Sequence, residues 1–211
     1  MKHVLYLALL FSIISCGKKD LKLPQLHIKA VNEVYNNSAV WVFYTLDGKD
    51  TLATLNRNNS ISTTHWLFNI DRRLQLKQIY KPLSTMLAKR QDKSSPHHVD
   101  GMLNYFTFAD TIDKRNKFLP LTTKSITYKN PNLKDTASVD IIFYPTSFKL
   151  KNNNYNYNQL DSVLQNKSDL GQTQFYFQDN LSYTKYLWVK SKIYNLSLND
   201  SLQSVIDFYF K

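Results

Sequence analysis

An α+β or α/β fold, with a small mixed sheet packed by two helices, is what this sequence predicts. Three observations predict it. Apolar runs rich in β-branched and aromatic residues end repeatedly at Asp or Asp-Gly, as strands running into turns do. Two stretches carry apolar residues at spacings of 3, 4 and 3, the period of one helix face. The last third of the chain reads strand, helix, strand, helix, strand.

Taken in order, Ala39 to Leu46 is a strand that ends at Asp47-Gly48, and Thr51 to Leu55 returns as its hairpin partner. Asn56 to Ser60 is a loop, and His65 to Ile70 is a buried strand closed by Asp71. Leu76, Ile79, Leu83 and Met86 predict a helix over 75–90, disturbed in its first half by Pro82. Gln91 to Gly101 is a polar surface loop. Asn104 to Ala109 is a strand, Asp110 to Asn116 a charged turn, and Pro120 to Asn132 an irregular piece in which Ser125 to Tyr128 forms a short strand.

The C-terminal part is sharper. Val139 to Tyr144 is a strand stopped by Pro145, and Ser147 to Leu150 is its short partner. Asn152 to Asn154 is a loop, after which Asn156 or Asn158 caps a helix with Tyr157, Leu160, Val163 and Leu164 on one face. Thr173 to Phe177 is a strand closed by Asp179-Asn180. Tyr186, Val189, Ile193 and Leu196 form a second helix face, and Val205 to Phe210 is the final strand. Trp66-Leu67-Phe68-Asn69-Ile70-Asp71 echoes Phe175-Tyr176-Phe177-Gln178-Asp179, and Leu74-Gln75-Leu76 echoes Leu181-Ser182-Tyr183. The echo fits two similar tandem halves, or chance likeness between two α/β units.

The start of the chain carries an address. Lys2 supplies a basic n-region, Val4 to Ile14 an apolar core, and Ser15-Cys16-Gly17 a small-residue cut site, the build of a secretory signal. The apolar run falls short of the roughly 20 residues that span a bilayer. Ser-Ile-Ile-Ser directly before the only cysteine resembles the lipobox of bacterial lipoproteins. That resemblance implies cleavage before Cys16 and lipid attachment to it, although Ile13 stands where the family prefers Leu. The expected organisation is a signal at 1–15, a tether at 16–28, an N-terminal half at 29–130 and a C-terminal half at 131–211, divided at Asn130-Pro131-Asn132. Gly17 rather than Asp after Cys16 removes the family's inner-membrane retention signal and implies an outer-membrane anchor facing the periplasm.

Composition narrows the function classes. Lys and Arg number 27 against 16 Asp and Glu, and removal of 1–15 takes only Lys2, leaving a net charge of +10. These cations are scattered rather than clustered, and with an export signal they argue against nucleic acid as a partner. A single cysteine forms no internal disulfide, so packing must stabilise the body. Four glycines leave little material for phosphate-cradling loops; no P-loop, G-x-G-x-x-G or G-x-S-x-G occurs.

Candidate chemistry is sparse. His97-His98-x-Asp100 is the one His-Asp cluster, too few ligands for a metal centre, and no cofactor or metal is predicted. His65 beside Trp66 reads as a packed, hydrogen-bonded imidazole. Asp71, Arg72 and Arg73 at a strand end form an anion- or partner-binding set, since guanidinium groups match carboxylates and phosphates, and Asp179 takes the equivalent place later in the chain.

The layout from Val139 to Phe210, with Tyr157-x-x-Leu160-Asp161-x-x-Leu164 and Phe175 to Tyr183 as its matching pieces, is similar to the periplasmic domain of TolR/ExbD-type biopolymer-transport proteins. That family anchors through an acidic transmembrane helix, which a lipobox replaces here, so the resemblance implies the fold and a wall- or partner-binding role without proton coupling. The expectation is therefore a lipid-anchored, non-enzymatic scaffold or binding protein held to the membrane by its N-terminal lipid and contacting peptidoglycan or an envelope transport complex. The alternative is a hydrolase or metal-dependent enzyme using Asp71 or the His97-His98 loop.

Overall fold

A computed structural model describes residues 20–94, 98–123, 125–131, 140–165, 173–197 and 206–211. The signal, Cys16, His97, Val139 and Val205 lie outside them. The fold is α+β, but the predicted small sheet is two mixed sheets of six strands each.

In the first sheet, β2 (Asn37–Asp47) turns through Gly48 into antiparallel β3 (Asp50–Asn56). Gly48 sits at φ +60, a conformation of the two-residue hairpin loop that costs glycine no Cβ clash. β2 then pairs in parallel with β4 (His65–Ile70), and β4 with β5 (Asn104–Asp110). β4 is buried along nearly its whole length, which is why its residues run apolar without alternation. Two strands were not legible. β1 (Gln25–Leu26), inside the expected tether, pairs with β5, and β6 (Asn116–Pro120) returns antiparallel to β5 from the charged turn.

The second sheet repeats the plan. β8 (Asp140–Phe143) has antiparallel β9 (Ser147–Leu150) on one side and parallel β11 (Gln174–Gln178) on the other, and β11 is followed by parallel β12 (Ile206–Phe210). β10 (Asn153–Asn156), expected as loop, extends the β9 hairpin. β7 (Ser125–Tyr128) pairs with β12, so the division between sheets falls between Pro120 and Ser125 rather than at Asn130-Pro131-Asn132.

The helices are α1 (Leu76–Gln91), α2 (Leu160–Gln165) and α3 (Tyr183–Ser197). α1 runs through Pro82 without ending, and Leu76, Ile79, Leu83 and Met86 are buried as their spacing requires. Asn156 takes the N-cap position of a 3-10 turn, Tyr157–Gln159, that feeds α2. α1 and α3 lie between the sheets. The Tyr186 ring meets Phe106 of the first sheet at 6.1 Å and Phe177 of the second at 5.0 Å. Tyr80 of α1 packs on Tyr209 of β12 at 3.9 Å, while Arg90 at the far end of α1 lies over Trp66 of β4. One continuous apolar core results.

The echoed triplets meet. Gln75 faces Ser182 in an antiparallel bridge; the Leu76 N–H donates to the Leu181 carbonyl at 2.9 Å and the Tyr183 N–H to the Leu74 carbonyl at 3.0 Å. Each pair of equivalents is 107 positions apart. The turns leading in also correspond, with Leu74 N–H donating to the Asp71 carbonyl and Leu181 N–H to the Gln178 carbonyl. The first N–H groups of a helix have no partner within it. Here the other half supplies carbonyls for those of Leu76, Lys77 and Tyr183.

Because Phe106 is fully buried between both layers, Phe106→Ala is expected to cost about 3–5 kcal/mol. Urea unfolding followed by tryptophan fluorescence and far-ultraviolet circular dichroism should show one coincident transition at a lower midpoint. Two separated transitions would mean that the halves have independent cores.

Candidate functional site

At the end of β4 the chain places Asp71, Arg72 and Arg73 together, and the structure gives them unequal tasks. The Asp71 side chain is fully buried. It accepts from Arg73 Nε at 2.9 Å and from an Arg73 terminal nitrogen at 2.6 Å, a bidentate pair of the strong kind. It also accepts from the backbone N–H of Arg73 at 2.9 Å and of Lys22 at 3.1 Å. Burial opposes its ionisation, but these donors outweigh burial and hold Asp71 below the usual carboxylate range. Arg73 stacks on Tyr44 at 4.5 Å and donates to the Asp20 carbonyl at 2.9 Å, and the exposed Arg72 donates its N–H to the Lys22 carbonyl at 2.7 Å.

One oxygen of Asp71 thus holds Lys22 directly, and both hold Arg73, which in turn holds Asp20. Of the expected anion- or partner-binding set, Asp71 and Arg73 are turned to each other and to residues 20–22, while the Arg72 side chain stays exposed. Asp179 is the expected counterpart, but the structural register sets Gln178 opposite Asp71 and Asp179 opposite Arg72. Asp179 contributes its backbone, its carbonyl accepting from Lys77 N–H and its N–H donating to the Phe210 carbonyl. Open α/β sheets place ligands beyond the carboxyl ends of their strands; here the segments that follow β4 and β11 bind each other through the Gln75–Ser182 bridge. An open groove remains beside it, lined by Tyr44, Lys49, Leu52, Arg73, Lys77 and Gln78.

A second anchor lies at the end of β5. Asp110 accepts from the N–H groups of Ile112 and Asp113, both at 2.8 Å, and from Lys117 Nζ at 3.2 Å, with His27 Nδ1 at 3.3 Å. The Asp113 N–H first, against burial, then the Ile112 N–H and Lys117 hold its carboxyl well below the ordinary range.

The third polar centre escaped the sequence reading. Asp207 of β12 is buried between the sheets, where it accepts from Lys190 Nζ at 2.9 Å, Tyr186 hydroxyl at 2.6 Å and Thr123 hydroxyl at 2.8 Å. Burial, then the Asp207 charge, pushes the Tyr186 hydroxyl far up, so it serves as a donor. A signal was present: alternation along 206–210 puts Asp207 on the same face as Tyr209, and Lys190 follows Tyr186 by one helical turn. Arg90 is a further missed residue. It stacks on Trp66 at 3.7 Å and donates to the Ser62 and Thr64 carbonyls and to Asn104, and burial pulls its guanidinium down to about 10.

The histidines divide. His65 accepts from the Leu103 N–H at 2.9 Å and meets Tyr105 edge-on, as its packed reading requires. His98 pairs with Asp100 at 3.0 Å. Among the described residues no group of three His, Cys, Asp or Glu is placed to hold a metal ion, and no helix is long and apolar enough to cross a membrane. No protein-family model, no curated protein and no solved structure matches the chain.

Two predictions follow from these anchors. Asp71 and Asp110 both ionise more readily folded than unfolded, so their stabilisation is complete above an unfolded value near 4 and is lost as pH falls toward their folded values. Urea midpoints should therefore hold steady down to about pH 5 and fall below about pH 4, with a shallower acid limb in Asp110→Asn. Asp207→Ala leaves the Lys190 charge, 3% exposed, without its counter-ion and is expected to cost about 3–5 kcal/mol. Pairing Asp207→Leu with Lys190→Met removes the unpaired charge and should recover part of that loss, the Tyr186 and Thr123 hydroxyls remaining without their acceptor, measured as urea midpoints of the variants.

Proposed function

We propose that this protein is a lipid-anchored, non-enzymatic component of a bacterial envelope, a binding or scaffolding body held to a membrane through Cys16. The observation that carries the reading is the engagement of residues 20–22 by Asp71, Arg72 and Arg73, four positions after a cysteine preceded by Ser-Ile-Ile-Ser. A folded body that grips its own chain so close to that cysteine leaves only a short free tether between the anchor and the body. Gly17 favours the outer membrane, periplasmic side. The order β8, β9, β10, α2, β11, α3, β12 in the C-terminal half, with β10 as an added strand, supports a role beside peptidoglycan or an envelope transport complex, as TolR/ExbD-type domains have.

The test is expression of full-length protein beside Cys16→Ala, with membrane fractionation, mass spectrometry of the mature N-terminus, and affinity recovery from crosslinked cells. Wild type should sediment with membranes, carry acyl chains on Cys16 and recover wall fragments or transport components. Cys16→Ala should be released and lose them. Identical behaviour of the two proteins would overturn the anchored reading.

A further inference from the structure

The position of the anchor selects which end of the body meets the lipid. β2, β4 and β5 run in parallel, so their C-terminal ends, Asp47, Ile70 and Asp110, share one end of the first sheet, with the β2–β3 hairpin running five residues past the Val42–Ile70 pair and β5 two residues past the level of Ile70. Asp20 is bound at that edge by Arg73. It lies four positions after Cys16, and four extended steps of the chain reach at most roughly 14 Å. A body tethered so shortly cannot turn this edge far from a bilayer that holds Cys16.

The chemistry of the edge agrees. Leu46, at the end of β2, and Ile112, in the turn after β5, are 66% and 64% exposed, more than any other described aliphatic side chain. Leu46 is the last residue but one of β2, paired with Thr51 in the hairpin, and Ile112 lies in the turn after β5. Around them Lys49, Arg72, Lys77 and Lys114 are exposed and have no ion-pair partner among the described residues. Asp71 and Asp110 are buried and already paired, while Arg115 is matched by Asp113 and Lys22 by Asp20. Asp47 and Asp50 are the exposed, unmatched carboxylates of the hairpin turn, fewer than the unmatched cations. Lys18 and Lys19 add two more positive charges between the anchor and the edge. Aliphatic tips flanked by long cationic side chains suit the boundary between anionic headgroups and acyl chains, where the aliphatics enter and the ammonium groups stay at phosphate level.

We infer that this edge, with Leu46 and Ile112 as its inserting tips, docks flat on an anionic phospholipid surface and fixes the orientation of the body. The inference rests on lipidation of Cys16. It leaves the opposite edge, where Ile61 and Leu103 are exposed, turned toward the periplasm.

Site-specific labelling of the lipidated full-length protein tests it. Acylated Cys16 does not react with thiol reagents, so Leu46→Cys, Ile112→Cys and Leu103→Cys each present one thiol for an environment-sensitive fluorophore. The proteins are reconstituted in phosphatidylethanolamine/phosphatidylglycerol vesicles with or without a nitroxide-bearing lipid. Labels at 46 and 112 should lose roughly half or more of their emission to the nitroxide, as a group within the headgroup boundary must, and the label at 103 should be unaffected. Equal quenching at all three sites, or quenching at 103 instead, would overturn the docking geometry. So would a blue shift that depends on protein density and not on the nitroxide, which would mean that a second copy covers the edge. If mass spectrometry finds Cys16 unmodified, the anchor itself fails and the docking falls with it; acylated Cys16 with unquenched labels refutes the docking alone.

Discussion

The contact on which the architecture depends is the exchange of backbone hydrogen bonds between Leu74-Gln75-Leu76 and Leu181-Ser182-Tyr183. A buried helix start with no partner for its first N–H groups is costly. Neither βαβ unit satisfies its own helix start completely. Each needs a carbonyl from a segment some 107 residues away, so the two halves fold as one body or leave unmet donors. The same contact sets α1 and α3 into a common layer, and that placement lets Tyr186 touch aromatic rings of both sheets.

Around this centre the buried charges act as joints. Asp71 joins the N-terminal segment to β4, and Asp110 joins the stretch around His27 to the turn after β5. Asp207 joins β12, α3 and the segment before β7 through Lys190, Tyr186 and Thr123. Arg90 joins the end of α1 to the loop before β4. In a chain whose one cysteine excludes an internal disulfide, such joints do what cross-links do elsewhere, and each has enough donors or acceptors to offset desolvation. They also explain why the strand end that looked ready for a ligand holds the chain itself.

Legibility followed the range of the interactions. Strands with one continuous apolar run, such as His65–Ile70, and helices with a clear face, such as that of Leu76, Ile79, Leu83 and Met86, were readable because local pattern and final burial coincide. β1, β6 and β10 were not. They are short edge strands with no alternating apolar run, and each forms because a neighbour offers free backbone groups, which composition does not record. Asp71 and its arginines were readable as a set, but not their partner, because the Lys22 N–H lies 49 positions away.

By itself, the sequence determined the α+β character and the two strand–turn–helix units with their echoed Leu74-Gln75-Leu76 and Leu181-Ser182-Tyr183 steps, all carried by neighbouring residues. Only tertiary structure decided that there are two sheets rather than one, that the echoed triplets bind each other, that Asp207 finds Lys190 inside the core, and that residues 20–22 close over the strand end. Those outcomes depend on which backbone groups are left unpaired once each half has formed, a sum over distant segments that no local pattern contains.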